Sequence, residues 1–363
     1  MGLSMTTARQ AFVTAANDLA ILTPYLVPRE MRRKRVNLGD GFIFHAIERH
    51  IGKFPADHVF SPRLPPSPAI VEKLRAARGV VLGGANQLSD DFAPWPGLTA
   101  DEIRRLKLRF IPFGIGLDGL KKKNRGFNIP TREIIQEIHE HIEYSSWRCP
   151  RTVALLEAAF PDLKDKFLMT GCPVSYDRPL LEGRHFAKNA ERVAVTVTER
   201  DDFLEREIRT LEDVARQFPT AEKFLVLHQD FRKLRKGIGP AVRKTLPPSW
   251  LGDIAILHAR ARRLGFRLVS PGTAEECIRF YGSIGLHVGS RLHAHLLFLS
   301  QNKWSFLTYV DDRSLGFSEY LGFPMLEPGQ LAHHLDFDFE NVRGNAQKTW
   351  PVMERFLESL AQG

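Results

Sequence analysis

The sequence has few cysteines and no long apolar run, and each shortage excludes a class of protein. Its 363 residues include three cysteines, Cys149, Cys172 and Cys277, which lie far apart and in no metal-ligand spacing. A disulfide framework is therefore not expected, and reduced structural thiols are the simplest interpretation. No apolar stretch approaches the roughly 18–20 residues that span a bilayer, and residues 1–21 lack the apolar core of a signal peptide. We expect a cytoplasmic protein.

Two further features bear on dinucleotide and nucleic-acid binding. The Gly83-Gly84 turn does not have the G-x-G-x-x-G pattern of a dinucleotide fingerprint. The 51 Lys and Arg residues exceed the 42 Asp and Glu residues, and the net charge of +9 favours an anionic partner. The densest basic run, residues 121–125, has no interleaved aromatic residue, so we expect no nucleic-acid partner. That run is either a solvated loop or a peripheral contact with acidic lipids at the inner face of the membrane.

The length and the alternation of segments predict a two-domain α/β protein. A chain of 363 residues is long for one domain, and 43% hydrophobic residues suffice for two cores. Short β-rich runs alternate with longer helical stretches, which is typical of doubly wound parallel sheets. Pro173, Pro179 and Gly183 then break the pattern, which places the domain boundary near residues 180–190. We therefore place the domains at residues 1–185 and 186–363, with the C-terminal helix returning to the first domain and a cleft between the two sheets.

Glycine-rich turns follow the first predicted strands, at Gly83-Gly84 and at Gly114 and Gly116. Ligands of open α/β sheets bind at such carboxyl ends of strands. Thr273 is the expected N-cap of one helix, with Glu276 at the spacing of a capping box. The expected strands are residues 79–82, 108–113, 192–198, 223–227, 266–269, 284–288 and 304–309. The expected helices are residues 41–51, 131–160 with an interruption near residues 147–150, 202–218 and 273–281.

The segment around Ser290 is the most informative for chemistry. A predicted strand is followed by the turn Gly289-Ser290, and a helix then begins with Ser290 as a plausible N-cap. Unpaired N–H groups and the helix dipole favour an anion there. Arg291 adds a permanent charge that can grip a carboxylate or phosphate, and His293 adds a group that moves protons near neutral pH. These residue types are also common as surface ion pairs and structural histidines, so both readings stay open.

Two neighbours of this turn extend the candidate site. His295 lies one helical turn from Arg291, so the two share a face, and Leu292 stands between Arg291 and His293. A metal site is not expected, because His293 and His295, two residues apart on a helix, do not share a face and no nearby Cys or carboxylate completes a ligand set.

The first domain supplies weaker candidates. Asn37-Leu-Gly-Asp40 opens a helix, and Asp40 either caps that helix or faces the cleft as a base, with Asn37 bonded to the same ligand. Gly83 and Gly84 allow a backbone to approach a ligand closely, and Gly116 lies in a similar turn. Arg148 adds either a charge to the cleft or a surface cation.

Taken in order, these segments resemble the polysaccharide pyruvyl transferase family over about residues 37–322. The most specific piece is Ser290-Arg-Leu-His-Ala294. Asp312-Arg313 stands where the family often has a lysine, and Cys172 stands where an acidic residue is frequent. The other matching pieces are Asn37-Leu-Gly-Asp40, Leu82-Gly-Gly84, Gly114-Ile-Gly116, Arg148-Cys-Pro-Arg-Thr152, Thr170-Gly-Cys-Pro173 and residues 309–317.

The resemblance implies a fold and a reaction. The fold would be two Rossmann-like domains in a GT-B-like arrangement, the first binding the acceptor and the second the donor. Phosphoenolpyruvate would be the co-substrate, with no metal or redox cofactor. The product would be a pyruvate ketal on a sugar of an exopolysaccharide or other polysaccharide, or of a lipid-linked oligosaccharide acceptor, with phosphate released.

Within that reaction we expect Arg291 to bind the donor's carboxylate or phosphate, and His293 to protonate its methylene carbon. Asp40 is the expected base. Two alternatives remain open at this point: a GT-B glycosyltransferase that uses a nucleotide sugar, and a non-catalytic protein of a glycan-assembly complex. The first would release a nucleotide, and the second would bind ligand without turnover.

Overall fold

The computed structural model places the elements of both halves. Among the residues that it describes, no helix combines the length and the apolarity needed to cross a bilayer. The basic run at residues 121–125 and the first residue of the helix expected at 202–218 lie outside the described residues. Those are 15–28, 31, 36–117, 126–183, 185–199, 203–228 and 253–362.

The first sheet consists of parallel strands from the N-terminal half. They are β1 (Leu19–Leu22), β2 (Val59–Phe60), β3 (Gly79–Leu88), β4 (Phe110–Leu117), β5 (Ser145–Trp147) and β6 (Phe167–Met169). In space their order is β2-β1-β3-β4-β5-β6. Ile21 of β1 pairs with Val59 on one side and Val81 on the other. All four β1 residues are buried, as expected of a parallel strand covered on both faces.

The second sheet is built in the same way from the C-terminal half. Its strands are β7 (Arg192–Thr196), β8 (Glu222–Val226), β9 (Phe266–Val269), β10 (Leu286–Gly289), β11 (Trp304–Thr308) and β12 (Met325–Leu326). The order in space is β12-β11-β10-β7-β8-β9, again parallel throughout. The chain order therefore reverses between β10 and β7, and in the first sheet between β1 and β3. Ligands of open α/β sheets bind at such reversal points.

Helices cover the faces of both sheets. In the first half they are α1 (Leu38–Ile51), α2 (Pro68–Ala76), α3 (Ala100–Leu106), α4 (Ile129–Glu140), α5 (Pro150–Ala159) and α6 (Arg178–Leu181). In the second half they are α7 (Leu204–Gln217), α8 (Asp253–Arg263), α9 (Ala274–Gly282), α10 (Leu292–Ser300), α11 (Asp312–Leu321) and α12 (Glu340–Gln362).

The last helix, α12, packs against the first sheet rather than the second. It contacts β5 and β6, and the ring of Phe356 meets that of Phe113 at 4.9 Å between centroids. Near its end, Arg78 donates to the carbonyl oxygen of Leu360 at 2.8 Å. The chain thus crosses back to the sheet on which it started.

Several sequence expectations were wrong in detail. The predicted strand at residues 79–82 does not end at Gly83 and Gly84, since β3 runs through both to Leu88. The strand expected to end before Gly114 likewise continues through Gly116 to Leu117. The helical stretch expected at residues 131–160, with an interruption near residues 147–150, is two helices, and the segment between them contains β5, which was not expected.

Candidate active site

A cavity of about 90 Å³ lies where the two sheets meet, several times the space that one water needs. The first half contributes the start of α1 and one residue of β3. The second half contributes the segments that follow β7, β8, β10 and β11. The lining residues are Asn37, Gly39, Asp40, Asn86, Thr198, His228, Ser290, Arg291, Leu292, His293, Val310, Asp311, Arg313 and Ser314.

The first turn of α1 brings Asp40 to the cavity. Asn37, not Asp40, is the N-cap, and its side chain accepts a hydrogen bond from the Gly39 N–H at 3.2 Å. The expectation that Asp40 caps the helix is therefore wrong. The Asn37 amide donates to the Asp40 carboxylate at 3.1 Å, and an Arg63 nitrogen lies 3.9 Å from it. Burial raises the pKa of Asp40 to about 6, although Arg63, Arg148 and Arg313 oppose the shift.

His293 faces the same turn of α1 from the opposite sheet. A Cβ on Gly39 would lie 3.0 Å from His293 Nδ1, so glycine at this position lets the ring approach the helix. His293 Nε2 is buried and has no partner among the described residues. Burial lowers the pKa of His293 to about 3, and the charges of Arg148 and Arg313 add to the effect. The ring is therefore neutral at pH 7 while the cavity holds no anion.

Ser290 lies one residue before the cap of α10. The N-cap of α10 is Arg291, with no side-chain capping bond, so the expectation that Ser290 caps the helix is wrong. The Ser290 hydroxyl is instead buried without a partner in the described part of the chain, and it lines the cavity. A buried hydroxyl in that state is costly unless a ligand or a water satisfies it.

Arg291 is already engaged by the end of the neighbouring strand. Its guanidinium donates to the carbonyl oxygens of Val197 at 2.7 Å and Thr198 at 2.9 Å. One of its nitrogens lies 3.1 Å from a carboxylate oxygen of Glu199, whose side chain is buried. The charge of Arg291 is therefore balanced inside the protein.

Arg148, in contrast, pairs with no carboxylate among the described residues. Its side chain is 1% exposed, and it donates to the Asn86 side-chain oxygen and to the Leu117 carbonyl oxygen at 3.3 Å. Its Nε and Nη1 atoms are buried and unpartnered in the described structure. A Cβ on Gly116 would lie 1.9 Å from Arg148 Nε, so glycine there makes room for the guanidinium. A buried cation that makes no ion pair is expensive, and a bound anion lowers that cost.

The structure adds residues that the sequence reading did not select. Arg313 lines the cavity and makes a two-point ion pair with Asp311, with Nε 2.8 Å from Oδ1. Asn86 holds Arg148, and His228 follows β8. Of these added residues, all except Asn86 lie just beyond the end of a parallel strand. That position is the signal that would have identified His228, Asp311 and Arg313.

Other expected site residues lie elsewhere. His295 is a buried residue of α10 whose Nδ1 lies 2.7 Å from the Ser305 hydroxyl of β11, and it does not line the cavity. Gly83 and Gly84 pack under α1 and β1: added Cβ atoms would lie 2.9 Å from Ile21 and 2.2 Å from Ile43. These glycines allow close packing of protein segments, not an approach to the cavity.

Metal-ligating side chains do not converge on the cavity in the described structure. Outside the cavity, the described structure contains one group that could hold an ion, formed by Glu137, Glu140 and His141 at the end of α4. The cavity lining instead holds two arginines with internal partners, and an imidazole and a carboxyl group whose pKa values are in the reverse of their usual order. Arg148 does not line the cavity but lies behind Asn86, which does. Such a set can bind an anion and move protons.

Comparison with solved structures identifies the fold. UDP-GlcNAc 2-epimerase from Neisseria meningitidis, bound to UDP-GlcNAc, superposes with a TM-score of 0.50 and 12% identity over 99% of this chain and 97% of that chain. S. aureus MnaA with UDP gives 0.48 and 10%, over 94% and 87%. The wall teichoic acid polymerase TagF gives 0.41 and 12%, over 97% and 86%. The predicted pair of Rossmann-like domains in a GT-B-like arrangement is confirmed.

Comparison of sequences identifies the family. A search of curated proteins finds no match. The model of the family described as polysaccharide pyruvyl transferase matches residues 37–312, which include the start of α1, the strand ends around the cavity and the Ser290 turn. The match covers more than half of the chain. The chain therefore belongs to the polysaccharide pyruvyl transferase family.

Proposed function

We propose that the protein transfers the pyruvyl group of phosphoenolpyruvate to a sugar of a polysaccharide or of its lipid-linked precursor, forming a pyruvate ketal and releasing phosphate. The observation that carries this proposal is the Arg148 guanidinium, which is buried behind the cavity-lining residue Asn86 with two unpartnered nitrogens and no carboxylate within ion-pair distance in the described structure. Such a group fits a small, highly charged acid better than a neutral sugar.

The donor's anionic groups have several further partners. The Ser290 hydroxyl and the N–H groups at the start of α10 supply neutral donors on the second-sheet side. Arg313 adds a cation shared with Asp311. Arg291 keeps the donor-binding role expected from the sequence, but it shares its charge with Glu199. We therefore assign the larger part of donor binding to Arg148.

The reaction needs one proton at carbon and removes two from the acceptor. A proton from His293 adds to the methylene carbon of phosphoenolpyruvate and makes C2 electrophilic. One sugar hydroxyl then forms a bond to C2, and a second displaces phosphate, whose departing oxygen keeps the electron pair of the broken C–O bond. Asp40 takes one hydroxyl proton, and the other leaves with phosphate or solvent. No metal or redox cofactor takes part, so turnover should persist in the presence of a chelator.

The pKa values of the two groups bear on these roles. His293 is neutral in the empty cavity because burial and the charges of Arg148 and Arg313 lower its pKa. An anion bound among these groups offsets both arginines and favours the imidazolium. Asp40, with a pKa of about 6, is mainly ionised at pH 7 and is poised near neutral pH as a base should be.

The decisive experiment measures the leaving group. The protein is incubated with phosphoenolpyruvate and with nucleotide sugars, each with a panel of free and lipid-linked glycosides. Phosphate release and an acceptor that gains pyruvate minus water support the proposal. Nucleotide release would identify a glycosyltransferase instead, and binding without either product would identify a non-catalytic member of a glycan-assembly complex. Arg148→Met should lose the phosphate release.

A further inference from the structure

His228 occupies a position in the cavity that the proposed chemistry does not yet use. It follows β8, its side chain is 1% exposed, and it lines the cavity. Its backbone N–H donates to a Glu199 carboxylate oxygen at 2.5 Å, and its carbonyl oxygen accepts from the Leu38 N–H at 3.3 Å. These two bonds hold the backbone of His228 between the second sheet and α1.

The imidazole ring has one satisfied nitrogen and one unsatisfied nitrogen. Nε2 lies 2.6 Å from the Tyr281 hydroxyl oxygen, and the edge of the ring meets Phe42 with 5.5 Å between centroids. Nδ1 is buried and has no partner among the described residues. Because the backbone and Nε2 hold the ring in place, Nδ1 cannot turn away to find a partner inside the protein. Since His228 lines the cavity, a ligand there is a candidate partner for Nδ1.

The contacts of Tyr281 decide which nitrogen carries the proton. Burial raises the pKa of Tyr281 well above its usual value, so the phenol keeps its proton. We assign the Tyr281 hydroxyl as the donor to Nε2, because a phenol O–H is a stronger donor than an imidazole N–H. The pKa of His228 is held well below its usual value by burial and by the positive charge of Arg291, so the ring is neutral. In that state the proton is on Nδ1.

We propose that His228 is a substrate-contacting residue whose Nδ1–H donates a hydrogen bond to an oxygen of the phosphoryl group of the donor, with Tyr281 as the positioning residue behind it. This deepens the proposed function and rests on it for the identity of the donor. The phosphoryl group is assigned because His228 stands on the second-sheet side, near Arg291 and the start of α10. A neutral donor there orients the leaving phosphate without adding a charge that would hold the product.

The test uses inorganic phosphate as the probe, titrated calorimetrically into the full-length protein and its variants. His228→Ala should weaken phosphate binding by about tenfold or more, the effect of losing a hydrogen bond to a charged group. His228→Asn keeps an amide N–H where Nδ1 lies, and its Kd for phosphate should be within about threefold of the wild-type value. His228→Gln places its amide near Tyr281 instead, and it should behave like His228→Ala.

Two further measurements separate binding from a purely structural role. Nitrogen NMR should show a protonated Nδ1 on His228 that shifts when phosphate binds, and Tyr281→Phe should reduce the population of that tautomer. His139→Asn is the matched control, because it removes another buried histidine, bonded to Ser145 at 2.8 Å, far from the cavity lining. It should lower the Tm without changing phosphate affinity.

The possible results distinguish this inference from the proposed function. Equal phosphate affinity in wild type and His228→Ala would overturn the inference, as would failure of His228→Asn to restore binding in a folded protein. Absence of phosphate binding by wild type would overturn it as well. If phosphate binding depends on His228 but phosphoenolpyruvate is never turned over, the His228 contact stands and the proposed reaction is wrong. If phosphoenolpyruvate is turned over but the affinity for phosphate does not depend on His228, the proposed reaction stands and the His228 contact is wrong.

Discussion

The neutral state of His293 in the empty cavity leads to a quantitative prediction: binding of phosphoenolpyruvate should be coupled to proton uptake. The pKa of His293 is about 3, set first by burial and then by Arg148 and Arg313. At pH 7 only roughly one molecule in 10,000 carries the imidazolium. If His293 donates a proton in the complex, it must therefore acquire that proton when phosphoenolpyruvate binds.

The charge of the ligand can supply the free energy that this proton uptake needs. Raising the pKa of His293 from about 3 to about 7 requires roughly 5 kcal/mol of interaction that favours the charged ring. One unit charge at about 4 Å contributes roughly 4 kcal/mol at an effective dielectric constant of about 20. Phosphoenolpyruvate carries a carboxylate and a phosphate of roughly −1.5 to −2 at pH 7. Its total charge is therefore sufficient to protonate His293.

Isothermal titration calorimetry measures the number of protons directly. The donor is titrated at pH 7 in two buffers with different ionisation enthalpies, and the difference in observed heat gives the protons taken up. Wild type should take up at least about half a proton more than His293→Gln, because a pKa of about 7 leaves the ring half protonated at pH 7 and the variant keeps an amide near Nε2 but cannot be protonated. The same variant should lose roughly 10²- to 10⁴-fold in turnover, the usual share of a general acid.

The subtraction removes other contributions, since a change in protonation of the ligand's own phosphate is common to both proteins. Equal proton uptake by wild type and His293→Gln would refute the reasoning. Turnover by wild type with no uptake at all would do the same, and it would indicate that neutral His293 is a base and that another group is the acid.

Further predictions concern the rest of the cavity. Because the pKa of Asp40 is raised to about 6 in the folded state, its ionisation costs stability as the pH rises through that value. Asp40→Asn should therefore be more stable than wild type at pH 8, by up to about 3 kcal/mol, with no difference at pH 4 in denaturant unfolding. Gly116→Ala should displace Arg148 and weaken phosphoenolpyruvate binding at least tenfold by calorimetry, whereas Gly344→Ala, with nothing within 4 Å of its added Cβ, should not. Arg148→Met should keep or raise the Tm while phosphate release from phosphoenolpyruvate falls below detection. His295→Asn should lower the Tm and leave KM unchanged in steady-state kinetics.

The strands were the part of the fold that the sequence predicted best. Buried parallel strands are continuous apolar runs, and the runs in the second half matched β7 to β11 within a few residues. β1 was missed although all of its residues are buried, because its four residues are too short a run to separate from a buried helix. β5 was missed because Ser145 and Ser146 lack an apolar pattern.

Glycines and helix starts were where local reasoning failed. Gly83, Gly84 and Gly116 were expected in turns, but each lies inside a strand where a Cβ would collide with a side chain from a distant segment. Nothing local distinguishes such a glycine from a turn glycine. At α1 and α10 the expected capping residues were wrong by three residues and by one, which is enough to change what Asp40 and Ser290 do.

The charges of the arginines depend on contacts between distant segments, and the sequence could not predict them. Arg291 was the strongest sequence candidate, yet Glu199, 92 residues earlier, balances it. Arg148 was a weak candidate with a surface alternative, yet it is buried without a carboxylate partner in the described structure. We therefore propose the reverse order of importance for these two residues in donor binding, at the cavity that the Ser290 turn lines.

The same balance of charge links the two proposed proton-transfer groups. If the donor binds with a charge of roughly −2.5 to −3, Arg148 alone cannot neutralise it, and the anion would raise the pKa of Asp40 further and protonate the proposed base. A proton on His293 prevents this, because the imidazolium lies across the cavity from Asp40, next to Gly39, and lowers the pKa of the carboxyl group. Uptake at His293 thus creates the acid and preserves the base in one step. Asp40→Asn should consequently take up as many protons as wild type when the donor binds, and a smaller number in that variant would place the proton on Asp40.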